Sequence, residues 1–455
     1  MNTQVPERSP LVELGDRFGK PFTVLALLFV LLGISFAFGR AYKDYSVHQT
    51  KFDWGARGLS DFHSCYIYAK TFRNGLSPYE AQERADLKTP RPSAPFSPVI
   101  YYLLWPLSYL SVAAADIVFC ALNVAMLGLL GYWVFRFSDQ PVSLHWWLAV
   151  FGFLIFSRSG HITLYTGYFT AILIIGTLLA FEYADKKPWL AGIGVLLASA
   201  KPTFIIPLLI LMVYRKNYRA AIWGTLLSSV VAIAGLLWLA ADSSITEVFS
   251  TVFRGQEAFN DDPTEFPVNT WTRVDIVGMF AKAINWVPDN KIYLGAMLVL
   301  LIPPGIIIRR AVDHEQNRGA MGLTALISML ALLVMLYHHS YDCLLVVPGV
   351  LSLLLFGHRT MGEVPKFARW VVTALLLVPP VNYLSTLSFR DKMELEQYSF
   401  TWQSITMING FCLTISLFIL MYYAWRISST SAKRSLGSSP KRNCLYIVYA
   451  LVWAG

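Results

Sequence analysis

Apolar runs of near-spanning length alternate with short polar caps along this chain. They lie at about 22–38, 112–135, 142–157, 162–183, 188–200, 202–214, 220–241, 291–308, 320–337, 341–356, 369–387 and 404–425. A helix needs roughly 20 apolar residues to cross a hydrocarbon core of about 30 Å. Several runs are shorter, notably 188–200 and 202–214, and are expected to be tilted, broken or half-spanning. The pattern predicts an all-α polytopic membrane protein with about 12 transmembrane helices. The first run, Phe22 to Phe38, lacks a small-residue cleavage site and is read as an uncleaved span.

The positions of the cations orient these spans. With Arg17 and Lys20 inside, the inner connections hold Arg136, Lys186, Lys187, Arg215, Lys216 and Arg219. Later ones hold Arg309, Arg310, Arg318, Arg359, Lys366 and Arg369, and the tail holds Arg426, Lys433, Arg434, Lys441 and Arg442. The short outer turns carry single cations, Arg158 and Lys201. Residues 96–111 (FSPVIYYLLWPLSYLS) are short, aromatic and interrupted by Pro106, so they read as an interfacial helix on the outer leaflet. The expected organisation is a cytoplasmic N-terminus at 1–21, a transmembrane domain at 22–425 and a cytoplasmic basic tail at 426–455. Extracytoplasmic loops fall at 39–111, 242–290 and 388–403, the first being the largest, and the tail ends in an apolar stub at 443–455.

Composition narrows the function. Of 455 residues, 55% are hydrophobic and 14% charged, with a mean hydropathy of +0.50. Soluble domains carry roughly a quarter charged residues. The net charge of +9 sits largely in the caps, where it sets topology, so no nucleic-acid partner is expected. The cytoplasmic loops are too short for a soluble catalytic domain and no glycine-rich nucleotide motif is present. Five cysteines without CxxC spacing read as small buried hydrophobes, pointing to neither disulfides nor a metal. The absence of an N-x-S/T sequon is compatible with a bacterial inner-membrane protein.

The candidate chemistry collects on the outer face. Asp61 opens a predicted helix in GLSDFHSCYIYAKTFRNGLSPYE (58–80), with Ser60 as its cap, Gly75 as its end, and Tyr66, Ala69, Phe72 and Arg73 along one face. Arg158 and His161 lie in FSRSGHITLYTGY (156–168), Lys201 interrupts an apolar stretch just before Pro202, and LYHHSYD (336–342) carries His338, His339 and Asp342. Charge at a span end is costly unless it is used. A carboxylate suits general-base work on a hydroxyl, and fixed cations suit a phosphate. The acidic group Asp261, Asp262 and Glu265 reads as a solvated loop, so no metal or other cofactor is indicated.

With these motifs in hand, the chain resembles the polyprenyl-phosphate-mannose-dependent mannosyltransferases, glycosyltransferase family 87 of the GT-C superfamily. The likeness covers roughly residues 22–425. It rests on the order of DFHSCYIYAKTFRNGLSPYE (61–80), FSPVIYYLLWPLSYLSVAAADIVFCALN (96–123), TGY (166–168), GIGVLLASAKPTFIIPLLILMVYRKNYRA (192–220) and LYHHSYD. The resemblance implies a GT-C fold with an outward-facing cavity under the first loop, a polyprenyl-phosphate-linked sugar donor and a glycolipid or glycan acceptor. It implies that Asp61 is the catalytic aspartate, that His338 and His339 are the family's histidine pair, and that Lys201-Pro202 is its Lys-Pro element. Arg158, His161 and Arg273 (in NTWTRVD, 269–275) join as substrate-binding candidates by location, with Tyr168. The family's Gly-Gln-x-Asn element becomes Thr166-Gly167-Tyr168-Phe169, a departure that bears on the donor sugar. The expected reaction is an inverting transfer of a hexose or pentose, mannose favoured. The alternative is a transporter or flippase for a lipid-linked or polar solute.

Overall fold

The computed structural model describes residues 10–50, 61–79, 96–241, 243–261, 263, 266–335 and 337–436. Ser60, Asp262, Glu265, Cys444 and the stub at 443–455 lie outside the described residues. Among those described, the regular structure is helical apart from one antiparallel bridge between Arg273 and His339. In chain order the helices are α1 (Pro10–Thr50), α2 (Asp61–Arg73), α3 (Pro98–Leu104), α4 (Val112–Arg136), α5 (Leu144–Phe156) and α6 (Arg158–Thr166). There follow α7 (Thr170–Glu182), α8 (Pro188–Ala198), α9 (Pro202–Tyr214), α10 (Tyr218–Leu239), α11 (Ile245–Asn260) and α12 (Ile276–Ile284). The series ends with α13 (Asn290–Ala311), α14 (Leu323–Met335), α15 (Val347–Thr360), α16 (Lys366–Val381), α17 (Leu387–Lys392) and α18 (Phe400–Leu436).

Six described helices are long and apolar enough to cross a bilayer: parts of α1, α13 and α18, the whole of α4 and α10, and α16 with the turn after it. Their outward faces are apolar. On α10, Ile222, Leu226, Val230, Ile233 and Leu237 recur every three or four residues and are all exposed, the mark of a helix solvated by lipid. The chain is therefore a multi-pass membrane protein. The Pro-interrupted segment after Phe96 forms α3 and a 3-10 turn at Trp105–Tyr109, each too short to cross.

The helices differ from the expected spans where polar residues intervene. Residues 162–183 do not form one span. Ser157 caps α6 by accepting from the Gly160 N–H, and α5 and α6 meet at 65°. At Gly160 a Cβ would strike the Leu154 carbonyl, so the bend requires glycine. Gly167, with φ of 63°, then ends α6 before α7 begins. The other short helices, α7, α8, α9 and α14, have 11 to 13 residues. At 1.5 Å per residue they are about 17–20 Å long, well short of a ~30 Å core.

Close helix crossings hold these short helices together. α7 and α8 touch backbone to backbone, with Gly176 and Gly194 each placed so that an added Cβ would lie 2.5 Å from the other's carbonyl oxygen. Gly224 of α10 lies as closely on Val195. One end of the bundle gathers the basic connections: buried Arg215 donates to Thr324 and to the Arg318 carbonyl, with Glu315 at 3.6 Å. Glu182 accepts from the Ala320 N–H, and Arg318 pairs with Asp185. α7, α9 and α14 run from this end to the opposite one, where the remaining polar groups converge.

Gly194→Val is expected to cost at least the roughly 1–3 kcal/mol typical of overpacking, because backbone rather than a rotamer must move. Thermal unfolding in detergent, followed by a thiol-reactive dye in a Cys444→Ser background, reads this loss through the four buried thiols Cys65, Cys120, Cys343 and Cys412. An unchanged midpoint would mean that the α7–α8 crossing is looser than described.

Candidate functional site

Two breaks in the helical ladder build the centre of the site. Between α8 and α9 the chain turns at Ser199–Lys201, with Pro202 opening α9, and this places the Lys201 ammonium inside the bundle. Between α14 and α15 the segment from Tyr337 turns through a 3-10 element at Asp342–Leu345. There Lys201 Nζ lies 2.7 Å from Asp342 Oδ2, both side chains being almost wholly buried. The same oxygen meets His338 Nδ1 at 3.0 Å and accepts the His339 backbone N–H at 3.1 Å. His338 Nε2 and Asp342 Oδ1 are buried without a hydrogen-bond partner among the described residues. An ammonium on aromatic faces gains cation–π attraction. Lys201 has the Tyr341, Phe204 and Tyr168 rings at 5.4–5.7 Å.

The segment before α12 closes over this centre. Val274 N–H donates to the His338 carbonyl and Ser340 N–H to the Thr272 carbonyl, which fixes one segment against the other. Both His339 nitrogens are engaged, Nδ1 with Thr272 Oγ1 at 2.5 Å and Nε2 with Tyr337 OH at 3.0 Å. Arg273 lies over the Tyr337 ring at 4.1 Å and forks onto Asp275 at 2.5 and 2.9 Å. Asp275 in turn caps α12 by accepting from the Gly278 N–H at 2.8 Å. Lys282, on the buried face of α12, reaches Thr406 Oγ1 of α18 at 3.3 Å. Burial first, then the positive charges of Arg273 and Arg158, push the Lys282 ammonium down to about 7, with Asp275 opposing.

The first loop reaches the same place from the other side. Ser97 N–H donates to the Ala200 carbonyl, next to Lys201, and Phe96 packs on Tyr168 and Phe169. α2 is held to the 96–111 segment by Tyr66 on the Leu110 carbonyl and Arg73 on the Ser108 carbonyl, and it ends at Gly75 with φ of 77°. Asp61, half-buried, opens α2 at its electropositive end. Its neighbour Phe62 packs on Gly167, one residue from Tyr168, and stacks on Phe119.

The structure therefore brings together Lys201, His338, His339, Tyr168 and Arg273, and sets Asp61 at the edge of the Tyr168 segment. Arg158 is adjacent. It sits in the α5–α6 bend, beneath the partly exposed Trp271 ring at 5.5 Å, and donates to the Ser385 hydroxyl and carbonyl. Its neighbour Ser159 donates to the Ser340 carbonyl. His161 is elsewhere, on the exposed side of α6 against Tyr165 and Tyr383. No three His, Cys, Asp or Glu side chains among the described residues are placed to hold a metal ion.

Residues 96–335, α3 through α14, match the model of glycosyltransferase family 87. The chain belongs to this family. No curated protein and no solved structure matches it. In this glycosyltransferase the matched region holds Arg158, His161, Tyr168, Lys201, Arg273 and Lys282, whereas Asp61 precedes it and the 338–342 turn follows it. The sequence alone assigned no role to four residues of this candidate site. Asp342 was visible as the i+4 neighbour of His338, and Thr272 and Asp275 flank Arg273. Lys282 was visible four residues after Gly278, on the buried side of a helix whose buried residues are otherwise uncharged.

Asp342→Asn leaves Lys201 and His338 buried without their carboxylate and is expected to cost about 3–5 kcal/mol. A double-mutant cycle with Lys201→Met, followed by thermal unfolding, should show the second change recovering part of that loss. Strictly additive losses would sink the pairing.

Proposed function

We propose that this family 87 glycosyltransferase moves a hexose or pentose, mannose favoured, from a polyprenyl-phosphate-linked donor to a glycolipid or glycan acceptor at the extracytoplasmic face. The observation that carries the reading is the buried Lys201–Asp342–His338 cluster. It lies at the end of the bundle opposite the basic connections, and Asp61 opens α2 next to Phe62, which packs on Gly167 of the Tyr168 segment. Basic connections belong on the cytoplasmic side, so both termini are cytoplasmic and the site opens outward, in a bacterial inner membrane. A lipid-linked donor enters such a site from the bilayer, and no nucleotide is required. No metal or other cofactor enters this reaction scheme.

Asp61 accepts the proton of the acceptor hydroxyl as that oxygen attacks the anomeric carbon. The bond from that carbon to the phosphate oxygen breaks, its electron pair stays with the polyprenyl phosphate, and configuration inverts. Cations at the site, Lys201, Arg158 and Arg273, stabilise the charge developing on the leaving phosphate. His338, oriented by Asp342, and His339, held by Thr272 and Tyr337, position the phosphate or the aspartate. Tyr168 contributes an aromatic face beside Lys201. Membership of a glycosyltransferase family favours this over transport of a lipid-linked solute.

Purified wild type, given synthetic polyprenyl-phosphate mannose, glucose and arabinose with total membrane lipids, is expected to transfer one radiolabelled sugar. A positioned general base contributes roughly 10²–10⁴-fold, and Asp61→Ala should lose a factor of that size with its thermal midpoint unchanged. Normal transfer by the variant would remove Asp61 from the mechanism.

A further inference from the structure

The buried charges at the site do not balance. Lys201 has its carboxylate in Asp342, and Arg273 has one in Asp275. Arg158 and Lys282 have none among the described residues. Arg158 is 1% exposed, donates from its two terminal nitrogens to Ser385 and leaves its buried Nε–H without an acceptor among the described residues. Lys282 is 6% exposed and has one neutral partner, the Thr406 hydroxyl. A buried cation without a counter-charge is among the costliest arrangements a membrane protein keeps, and where it is kept it marks a functional path.

Separate elements maintain the arrangement. Arg158 projects from the α5–α6 bend and Lys282 from α12, while their hydroxyl partners come from the turn after α16 and from α18. Ser385 donates to the carbonyl of Asn382, which follows α16. Asn382 Nδ2 donates to Asn409 Oδ1 at 2.8 Å and to the carbonyl of Ile405, the residue before Thr406, so the two hydroxyl partners are tied together. Burial, with Arg273 and Arg158 nearby, lowers the proton affinity of Lys282, and Asp275 opposes them. The partly exposed Trp271 ring lies over Arg158.

We infer that Arg158 and Lys282 seat the phosphate of the polyprenyl-phosphate-linked substrate, a binding role that makes Lys282 a determinant of recognition. The inference rests on the transferase reading above. An arginine fork and a lysine ammonium are the complement of phosphate oxygens. When the sugar departs, the phosphate passes from a diester with one negative charge to a monoester carrying more. Two cations lacking carboxylates favour that gain, so they act more strongly on the leaving group than on the bound donor. Lys201, already neutralised by Asp342, has less to offer an anion.

The test uses the full chain in detergent, with farnesyl phosphate, farnesol and inorganic phosphate as probes and sugar transfer measured in parallel. Farnesyl phosphate is expected to bind wild type and raise its thermal midpoint, with farnesol and inorganic phosphate much weaker. Lys282→Met should weaken farnesyl phosphate binding at least ~10-fold, the effect of losing one buried charge from a pair. Its unliganded midpoint should be unchanged or higher, since a lone buried charge has gone. Lys282→Arg should restore most of the binding, and Arg158→Lys should weaken it. Unaltered affinity in Lys282→Met and Arg158→Lys overturns the inference, as does a lowered midpoint in Lys282→Met with binding intact. Inorganic phosphate binding as tightly as farnesyl phosphate overturns the lipid source. A wild type that binds through these cations yet transfers no sugar sinks the transferase reading and leaves the phosphate seat standing. Transfer with unaltered KM in Lys282→Met does the reverse.

Discussion

A carboxylate taken out of water must find donors, and Asp342 finds three on a single oxygen: the Lys201 ammonium, the His338 imidazole and the His339 backbone N–H. None of the two charges and the imidazole could occupy that depth alone. Their meeting joins parts of the chain 141 residues apart and explains why two helices stop where they do. An unbroken span through Lys201 would expose its ammonium to lipid or bury it unpaired. The break before Pro202 lets the side chain turn inward, and the break after Met335 presents Asp342 to it. The breaks between α8 and α9 and after α14 are thus tied to the ion pair.

The opposite end of the same helices obeys the same rule in a different solvent. Arg215 closes α9 and is buried, but it meets Thr324, a carbonyl and Glu315, all from the connection into α14. α9 and α14 are therefore pinned at both ends, by Lys201–Asp342 at one and Arg215–Glu315 at the other. α7 runs beside them, from Thr170 near the site to Glu182 at the basic end, where Glu182 accepts from Ala320. With α7 and α8 in contact at Gly176 and Gly194, the floor of the site rests on backbone contacts, and side-chain rotamers add little slack. Rigid support of this kind keeps functional groups on loops in register.

How much of this was legible in the chain follows from which physical signals are local. Hydropathy found α1, α4, α10, α13, α16 and α18, because a lipid-facing helix shows its apolarity in sequence. It misjudged 162–183, because Gly167 breaks a helix without lowering hydropathy. Lys201, His338 and His339 stood out as polar residues at the ends of apolar runs, and Asp61 as the acid opening a predicted helix in the first loop. Asp342 was visible but had no evident use until the fold placed Lys201 beside it. Lys282 carried no signal of its burial in the sequence, since burial of its face depends on α18, over 100 residues further on. His161 and Arg158 shared one motif, yet the bend at Ser157 sends them to different sides of α6. Pairwise distance is a tertiary fact, and composition carries no trace of it.

The distinction between compensated and uncompensated charge also orders the roles at the site. Ions that are already paired and hydrogen-bonded have most of their field spent within the protein. They fix the geometry first and add a weaker field to a leaving phosphate, and the Asp342 network holds His338 and the 338–342 turn in place. Arg273, forked onto Asp275, likewise braces the loop that caps α12 and carries Thr272 to His339. Preorganisation of this sort costs its desolvation once, on folding, and leaves little to reorganise when charge moves in the reaction. Groups left without a counter-ion are the ones whose energy an arriving anion changes most. A site built from both kinds separates geometry from affinity. The paired charges set where the reacting atoms sit, and the unpaired ones decide how strongly a negative group is drawn there.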